Sequence, residues 1–329
     1  MKFSTKPVIY GFITLFALFY GVGVYWSFYP DLMDVRKNVS QEAQAKNEIP
    51  VVGYTTTTTL IEVAETLLHK PGGYLSNDAL PPSVFLDNMP AWEFGVLEMT
   101  RDLALVMRKD FSRSQSQSLV NKHLQDAQPR FNIDSKSWVV PSAESEYSAA
   151  IESLYKYRAA LVQVELKDKS QFYARADNLK SYIDEVQKRL GSYSHRLSAS
   201  VGIQQVNIDL AGDKNAKQST YSAAELELKT SWWLIDDVFY EARGASWALV
   251  HFLKAIEIDF DSVLKNKNAK ISLQQIIKEL EASQEILWSP MVLNGDGFGV
   301  LANHSLVMAN YISRANAALI DLNKLLTEG

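Results

Sequence analysis

Asp236, Asp237 and Glu241 are the side chains in this sequence best spaced for chemistry. Asp237 and Glu241 lie four apart, which is one turn of a helix, and Asp236 adjoins them. Carboxylates gathered on one helix face can share a proton or hold a divalent cation, so these three are the catalytic candidates. A di-iron bundle would need Glu-x-x-His repeats on facing helices, and none occurs. The competing reading is structural: Arg175, Arg243 or Arg314 neutralises the cluster inside a helical bundle, because buried carboxylates need partners. The structural reading carries more weight. A second candidate is Gly295, Gly297 and Gly299, in a glycine-rich entry to a helix where exposed amides could meet an anion. No Walker lysine and no Gly-x-Gly-x-x-Gly accompanies them, so a nucleotide site is unsupported. A third is the proline-punctuated loop from Gly72 to Trp92, whose Tyr74, Phe85 and Trp92 either cap a core or meet a binding partner.

The remaining reactive residue types exclude more than they suggest. The five histidines (His69, His123, His195, His251 and His304) are never three or four apart, so no metal site is expected. There is no cysteine, which removes disulfides, zinc knuckles, iron–sulfur clusters and thiol nucleophiles. No Gly-x-Ser-x-Gly elbow is present. No cofactor is expected. With 33 Lys and Arg against 38 Asp and Glu the chain is acidic, which argues against a nucleic-acid partner.

The elements that must position these residues are helices. Val8 to Tyr29 is uncharged and almost wholly apolar or aromatic. At about 1.5 Å per residue it spans ~33 Å, the thickness of a bilayer's hydrocarbon core, with aromatic residues near both ends. Residues 1–30 are therefore expected to be a transmembrane anchor contacting lipid through 8–29. Bulky Tyr25, Trp26 and Phe28 speak against a cleaved signal peptide. The short N-terminus with Lys2 and Lys6 is expected to stay cytoplasmic and the remainder to cross the membrane. Residues 31–50 are polar and read as a linker, either a tether or a helical extension, leaving 51–329 as an α-helical domain.

Within that domain, apolar stripes of helical period run over Thr57–Lys70, Ala91–Arg108, Glu144–Val164, Phe172–Leu190 (stopped by Gly191), Ile235–Val263, a helix entered through a Ser272/Gln275 capping box, and Leu301–Leu326. Alternation over Ile203–Leu210 and Glu225–Lys229, about a turn at Gly212–Asn215, reads as one short β-hairpin. The fold class is mainly α: a membrane helix followed by a helical bundle.

The strings KPGGYLSND (70–78), LDNMPAWEFGVL (86–97), FYARADNL (172–179), DDVFYEARGASWAL (236–249) and NGDGFGVLANHSLVMANYISRANAALIDL (294–322) resemble an uncharacterised family of proteobacterial single-pass inner-membrane proteins, a domain of unknown function. The resemblance implies a Gram-negative source and inner-membrane attachment, and no activity. The function expected from these observations is that of a periplasm-facing interaction or scaffold protein of the cell envelope. A hydrolase or metal-dependent enzyme using the carboxylates, and a binder of lipid or another small ligand, are the alternatives.

Overall fold

Backbone amides in an uncharged, apolar run find few partners outside the run itself, and a helix satisfies them internally. Helix α1 (Lys6–Trp26) is the result, and its 21 residues rise ~30 Å, making it long and apolar enough to span a membrane. Gly23 is buried, while Phe12, Phe16 and Tyr20 stand clear of the rest of the chain. Among the described residues no other helix is long and apolar enough to cross a membrane. This computed structural model describes residues 6–114, 118–163, 169–206, 225–289, 291–296 and 299–328.

The segment after α1 is held rather than loose. The Met33 N–H donates to His251 Nε2 at 2.9 Å, and Trp247 Nε1 donates to the Asp31 carbonyl at 3.2 Å. Asp34 then caps α2 (Val35–Lys46) by accepting from the Lys37 N–H, and left-handed Asn47 closes it. Val35, Val39 and Ala43 are buried against Tyr54 and Ala255, and Arg158 pairs with Glu42 at 2.8 Å. Of the two forms expected for the linker over 31–50, a tether or a helical extension, Val35–Lys46 takes the helical one, capped and docked on the body. Its apolar residues recur every fourth position, enough for a narrow buried stripe despite the polar composition.

The body is built from α3 (Tyr54–His69), α4 (Asn88–Val106), α5 (Lys122–Phe131), α6 (Ala143–Val162), α7 (Ala176–Ser198), α8 (Ile235–Asp259), α9 (Asp261–Asn266), α10 (Lys270–Ala282) and α11 (His304–Glu328). Helix α8 is the centre: Ala248, Leu249, Val250, Phe252 and Leu253 are all fully buried. This is the uncharged run GASWALVHFL, a core segment and not a second span. Helix α4 crosses it at two glycines. A Cβ on Gly95 would lie 1.9 Å from the Glu241 carbonyl oxygen, and one on Gly244 would lie 2.0 Å from that of Trp92. Only hydrogen at both positions lets the backbones approach so closely.

Helix α3 begins with five buried threonines, Thr55–Thr59, a poor helix-forming run on propensity alone. Tertiary contacts make up the deficit. Asp259, from the far end of α8, accepts from both the N–H and Oγ1 of Thr56 at 2.7 Å, serving as an N-terminal cap supplied by another element. Burial raises the Asp259 pKa, and these hydrogen bonds oppose that rise.

Several expected boundaries move. Helix α7 starts at Ala176 and runs through Gly191 to Ser198, because Leu190, Tyr193 and Leu197 continue its buried face beside α11. One internal glycine costs ~1 kcal/mol, which such packing outweighs. Helix α10 starts at Lys270, so Ser272 lies inside it, and Gln275 donates to Glu279 instead of forming a capping box. Helix α11 starts at His304, with the Asn303 side chain accepting from the Leu306 N–H, and Leu301 is exposed ahead of it. Helix α6 starts where Pro141-Ser142 indicates, with Ser142 as its cap. Strands β1 (Ile203–Val206) and β2 (Glu225–Leu228) pair antiparallel with Ile203 opposite Leu228. The rest of the first expected strand and the turn at 212–215 lie outside the described residues.

Candidate functional site

The three candidate carboxylates stay near one another but do not share one role. Glu241 reaches from α8 to α7, where both its oxygens accept from the Arg196 guanidinium at 2.6 Å. A bidentate pair of this kind ties α7 to α8 and takes Glu241 out of proton transfer. The three arginines expected as partners go elsewhere: Arg175 to Asp177, Arg314 to Glu279, and Arg243 to the carbonyls of Gln284 and Glu285 at the end of α10. Asp236 accepts from the Asp237 N–H at 3.2 Å. Asp237 keeps one buried oxygen with no hydrogen-bond partner. Its pKa is pushed up to about 6, first by burial and then by the negative charges of Asp87, Asp236 and Glu241, with Lys136 opposing. Among the described residues no group of three His, Asp or Glu side chains is placed to hold a metal ion.

At the glycine-rich segment, the amides are already used. The Gly295 N–H donates to the Ala302 carbonyl at 3.0 Å and the Gly299 N–H to that of Asp296 at 2.7 Å, while Asn303 Nδ2 donates to the Gly295 carbonyl. These bonds close a tight loop in front of α11. The amides of Gly295 and Gly299 are thus engaged within the loop and are not directed at a ligand in this structure. Gly297 lies outside the described residues.

The loop aromatics divide. Tyr74 is buried edge-on to Tyr147 and donates to the Ser135 carbonyl at 3.0 Å. Trp92 is fully buried, 5.2 Å from Trp247 between ring centroids. Both are core, whereas Phe85 is 76% exposed. The loop's real organiser is Glu93, which accepts from the Leu75 and Ser76 N–H groups at 2.9 and 2.8 Å and pairs with Lys70 at 2.5 Å, both side chains fully buried. Burial raises the Glu93 pKa, and Lys70 is the main force lowering it. Sequence inspection missed this pair because Lys70 and Glu93 lie on either side of the loop they close.

Of the histidines, His251 is the informative one. It is fully buried on α8, Nδ1 against the Trp247 carbonyl at 2.7 Å and Nε2 accepting from Met33. That bonding fixes the neutral tautomer protonated at Nδ1, and burial lowers its pKa to about 4.

Beside the strap formed by residues 27–34, which joins α1 to α2, lies a cleft of about 800 Å³, open where α1 leaves the body and lined by residues that include Phe28, Tyr29, Trp92, Tyr240, Arg243 and Trp247. Tyr29 stacks on Tyr240 at 5.1 Å and 13°. Burial lowers the pKa of Arg243, which supplies a positive charge among the aromatic rings, while Asp31, Glu281 and Glu285 also line the cleft. Sequence spacing gives no hint of this cleft, since its walls come from the strap, α4, α8 and the segment after α10.

No curated protein and no solved structure matches the chain. A family model described as "Uncharacterized protein conserved in bacteria" matches residues 4–329, from the start of the apolar helix to the last residue of the chain. A match of that extent settles membership: the chain belongs to the bacterial family DUF2333.

Proposed function

We propose that this protein is a single-pass component of the bacterial envelope that works by binding. In this reading α1 crosses the inner membrane, the N-terminus stays in the cytoplasm, and the helical body stands in the periplasm. The observation that carries the reading is α1, a 21-residue apolar helix exposed along nearly its whole length while the body grips its C-terminal end. Such a surface is stable in lipid and unfavourable in water. Two basic residues flank the apolar run on each side, Lys2 and Lys6 against Arg36 and Lys37. The proposed orientation therefore rests on the long body that follows the apolar helix, since long domains translocate largely regardless of charge. Binding in place of catalysis is supported by the capture of Glu241 by Arg196, which takes one of the three candidate carboxylates out of proton transfer.

Fusions at the C-terminus test the address. An attached alkaline phosphatase should be active and an attached green fluorescent protein dark; the opposite pattern overturns the orientation, and recovery of the intact chain from the soluble fraction overturns the anchor. For the partner role, photo-crosslinkers at exposed Ile271 and Ile320 in living cells should give discrete adducts. Bands of monomer alone would refute a protein partner at those faces.

The cleft supports a second reading, in which an amphipathic ligand enters from the bilayer with its chain along Trp92 and Trp247 and an anionic head at Arg243. Native mass spectrometry of the full chain in nanodiscs would then show a bound lipid that is lost in a folded Arg243→Leu variant. The same adduct in the variant, or none in either protein, rejects this ligand.

A further inference from the structure

We infer that the end of the body surrounding the exit of α1 is itself immersed in the bilayer interface, so that several loops grip lipid alongside the helix. The inference rests on the reading of α1 as a membrane span and adds a second attachment to it.

Depth is the first argument. Gly23 lies three residues before the last residue of α1, ~4.5 Å short of its end. A methyl group there would sit 3.6 Å from Pro82 Cβ and 3.8 Å from Leu86 Cδ2. The loop 80–86 therefore descends beside α1 at least to the level of Tyr25 and Trp26, the aromatic end of the span. A loop that deep lies outside bulk water whenever α1 crosses a bilayer. Its composition agrees: Leu80, Val84 and Phe85 are exposed, and no charged residue occurs from Leu80 to Leu86.

Convergence is the second argument. The segment holding Trp138, itself 71% exposed, is tied beside this loop by Asn77 Nδ2 donating to the Ser137 carbonyl at 2.8 Å and by the Tyr74–Ser135 bond. Helices α4 and α8 run side by side in the same direction, touching at Gly95–Glu241 and Gly244–Trp92 and followed by the Phe111–Phe260 ring contact. The start of α8, with exposed Trp233 just ahead of it, therefore lies at the same end as Asp87 and this loop. The segment after α10 shares the cleft walls with Val24 and Phe28 and carries Trp288 at 93% exposure. Four segments distant in sequence thus place exposed aromatic rings around one helix exit. Tryptophan prefers the membrane–water interface, and an exposed apolar patch of this kind on a soluble surface would promote aggregation. The charges interleaved there, Asp87, Asp236 and Asp237 with Lys136, are mostly acidic. The attachment is accordingly made by rings and aliphatic groups and does not require anionic lipid.

The chain has no cysteine, so single labels can be placed cleanly. Phe85→Cys, Trp138→Cys and Trp288→Cys, each carrying an environment-sensitive fluorophore, are compared in the full chain in phosphatidylcholine vesicles containing nitroxide-labelled phosphatidylcholine. Phe16→Cys reports α1, and Ile49→Cys, just past the end of α2 farthest from α1, is an exposed apolar control. Circular dichroism confirms that each labelled chain is folded. Quenching at 85, 138 and 288 should be at least threefold that at 49, and unchanged when a quarter of the lipid is phosphatidylglycerol. Quenching at 16 but not at the three loop positions overturns this inference and leaves the anchor standing. No quenching at 16 removes the anchor instead. Shielding of the loop labels that grows with protein density, without lipid quenching, assigns the rings to contact between copies and also overturns it.

Discussion

Acidification should weaken the fold at His251, by an amount set by its burial. The imidazole takes up a proton near pH 6.5 in an unfolded chain but only near pH 4 in the folded one. Above pH 6.5 neither state is protonated and the residue is silent. As the pH falls the unfolded chain gains a proton that the folded chain refuses, so stability is lost until the folded pKa is reached. The difference in pKa corresponds to a loss of about 2 kcal/mol at pH 5 and about 3 kcal/mol at pH 4. Protonation at Nε2 also turns an acceptor into a donor facing the Met33 N–H, so the strap should release with the transition. Urea unfolding of the full chain in nanodiscs, followed by circular dichroism at pH 7.5, 5 and 4, measures the effect against His251→Gln. Other groups titrate in this range, Glu62 with a pKa raised to about 7 among them, but they are common to both proteins and cancel in the difference. Parallel pH profiles for wild type and variant would refute the reasoning.

Three further perturbations follow from the packing and charge. Gly244→Ala should destabilise the chain by about 2 kcal/mol or more, since a methyl 2.0 Å from the Trp92 carbonyl forces the helices apart and overpacking outweighs the gain in helix propensity. Combined with Gly95→Ala the loss, read from urea midpoints, should be less than additive, because one separation of α4 from α8 relieves both contacts. Lys70→Met leaves the Glu93 carboxylate buried without its counter-ion and should cost ~3 kcal/mol, with hydrogen exchange at the Leu75 and Ser76 amides accelerating first. Asp237 has a folded pKa raised from 3.8 to about 6, so its favourable contribution is full below pH 3.8 and is lost as pH rises through about 6. Asp237→Asn should therefore raise stability at pH 8 by ~1 kcal/mol after solvent screening, an advantage that vanishes at pH 4 in the same unfolding assay.

Helix positions were legible wherever one face repeats: the stripes of α8 and α11, the Ser142 cap of α6 and the uncharged run of α1 can all be read from residue type and spacing. The stripe of α2 is present as well, Val35, Val39 and Ala43 at every fourth residue, but the polar composition hides it and the spacing does not say which elements it docks on. Contacts made between elements could not be read in that way. Arg196 meets Glu241 only because α7 packs across α8, and three other arginines were equally eligible on charge. Asp259 caps α3 from some two hundred residues away, and Gly191 looks like a stop signal until α11 covers that stretch of α7. Tyr74 and Trp92 could be read as caps of a core or as recognition residues, because a proline-rich loop conceals the Lys70–Glu93 pair that folds them inward.

The way the chain leaves α1 has a mechanical consequence. Between Ser27 and Asp34 the backbone is clamped at Asp31 and Met33, and α2 begins at once, leaving no slack about which the body could swivel. Helix and body must turn as one piece, like a key and its bow. A tilt or twist imposed on α1 would swing every outward face of the bundle through the same angle.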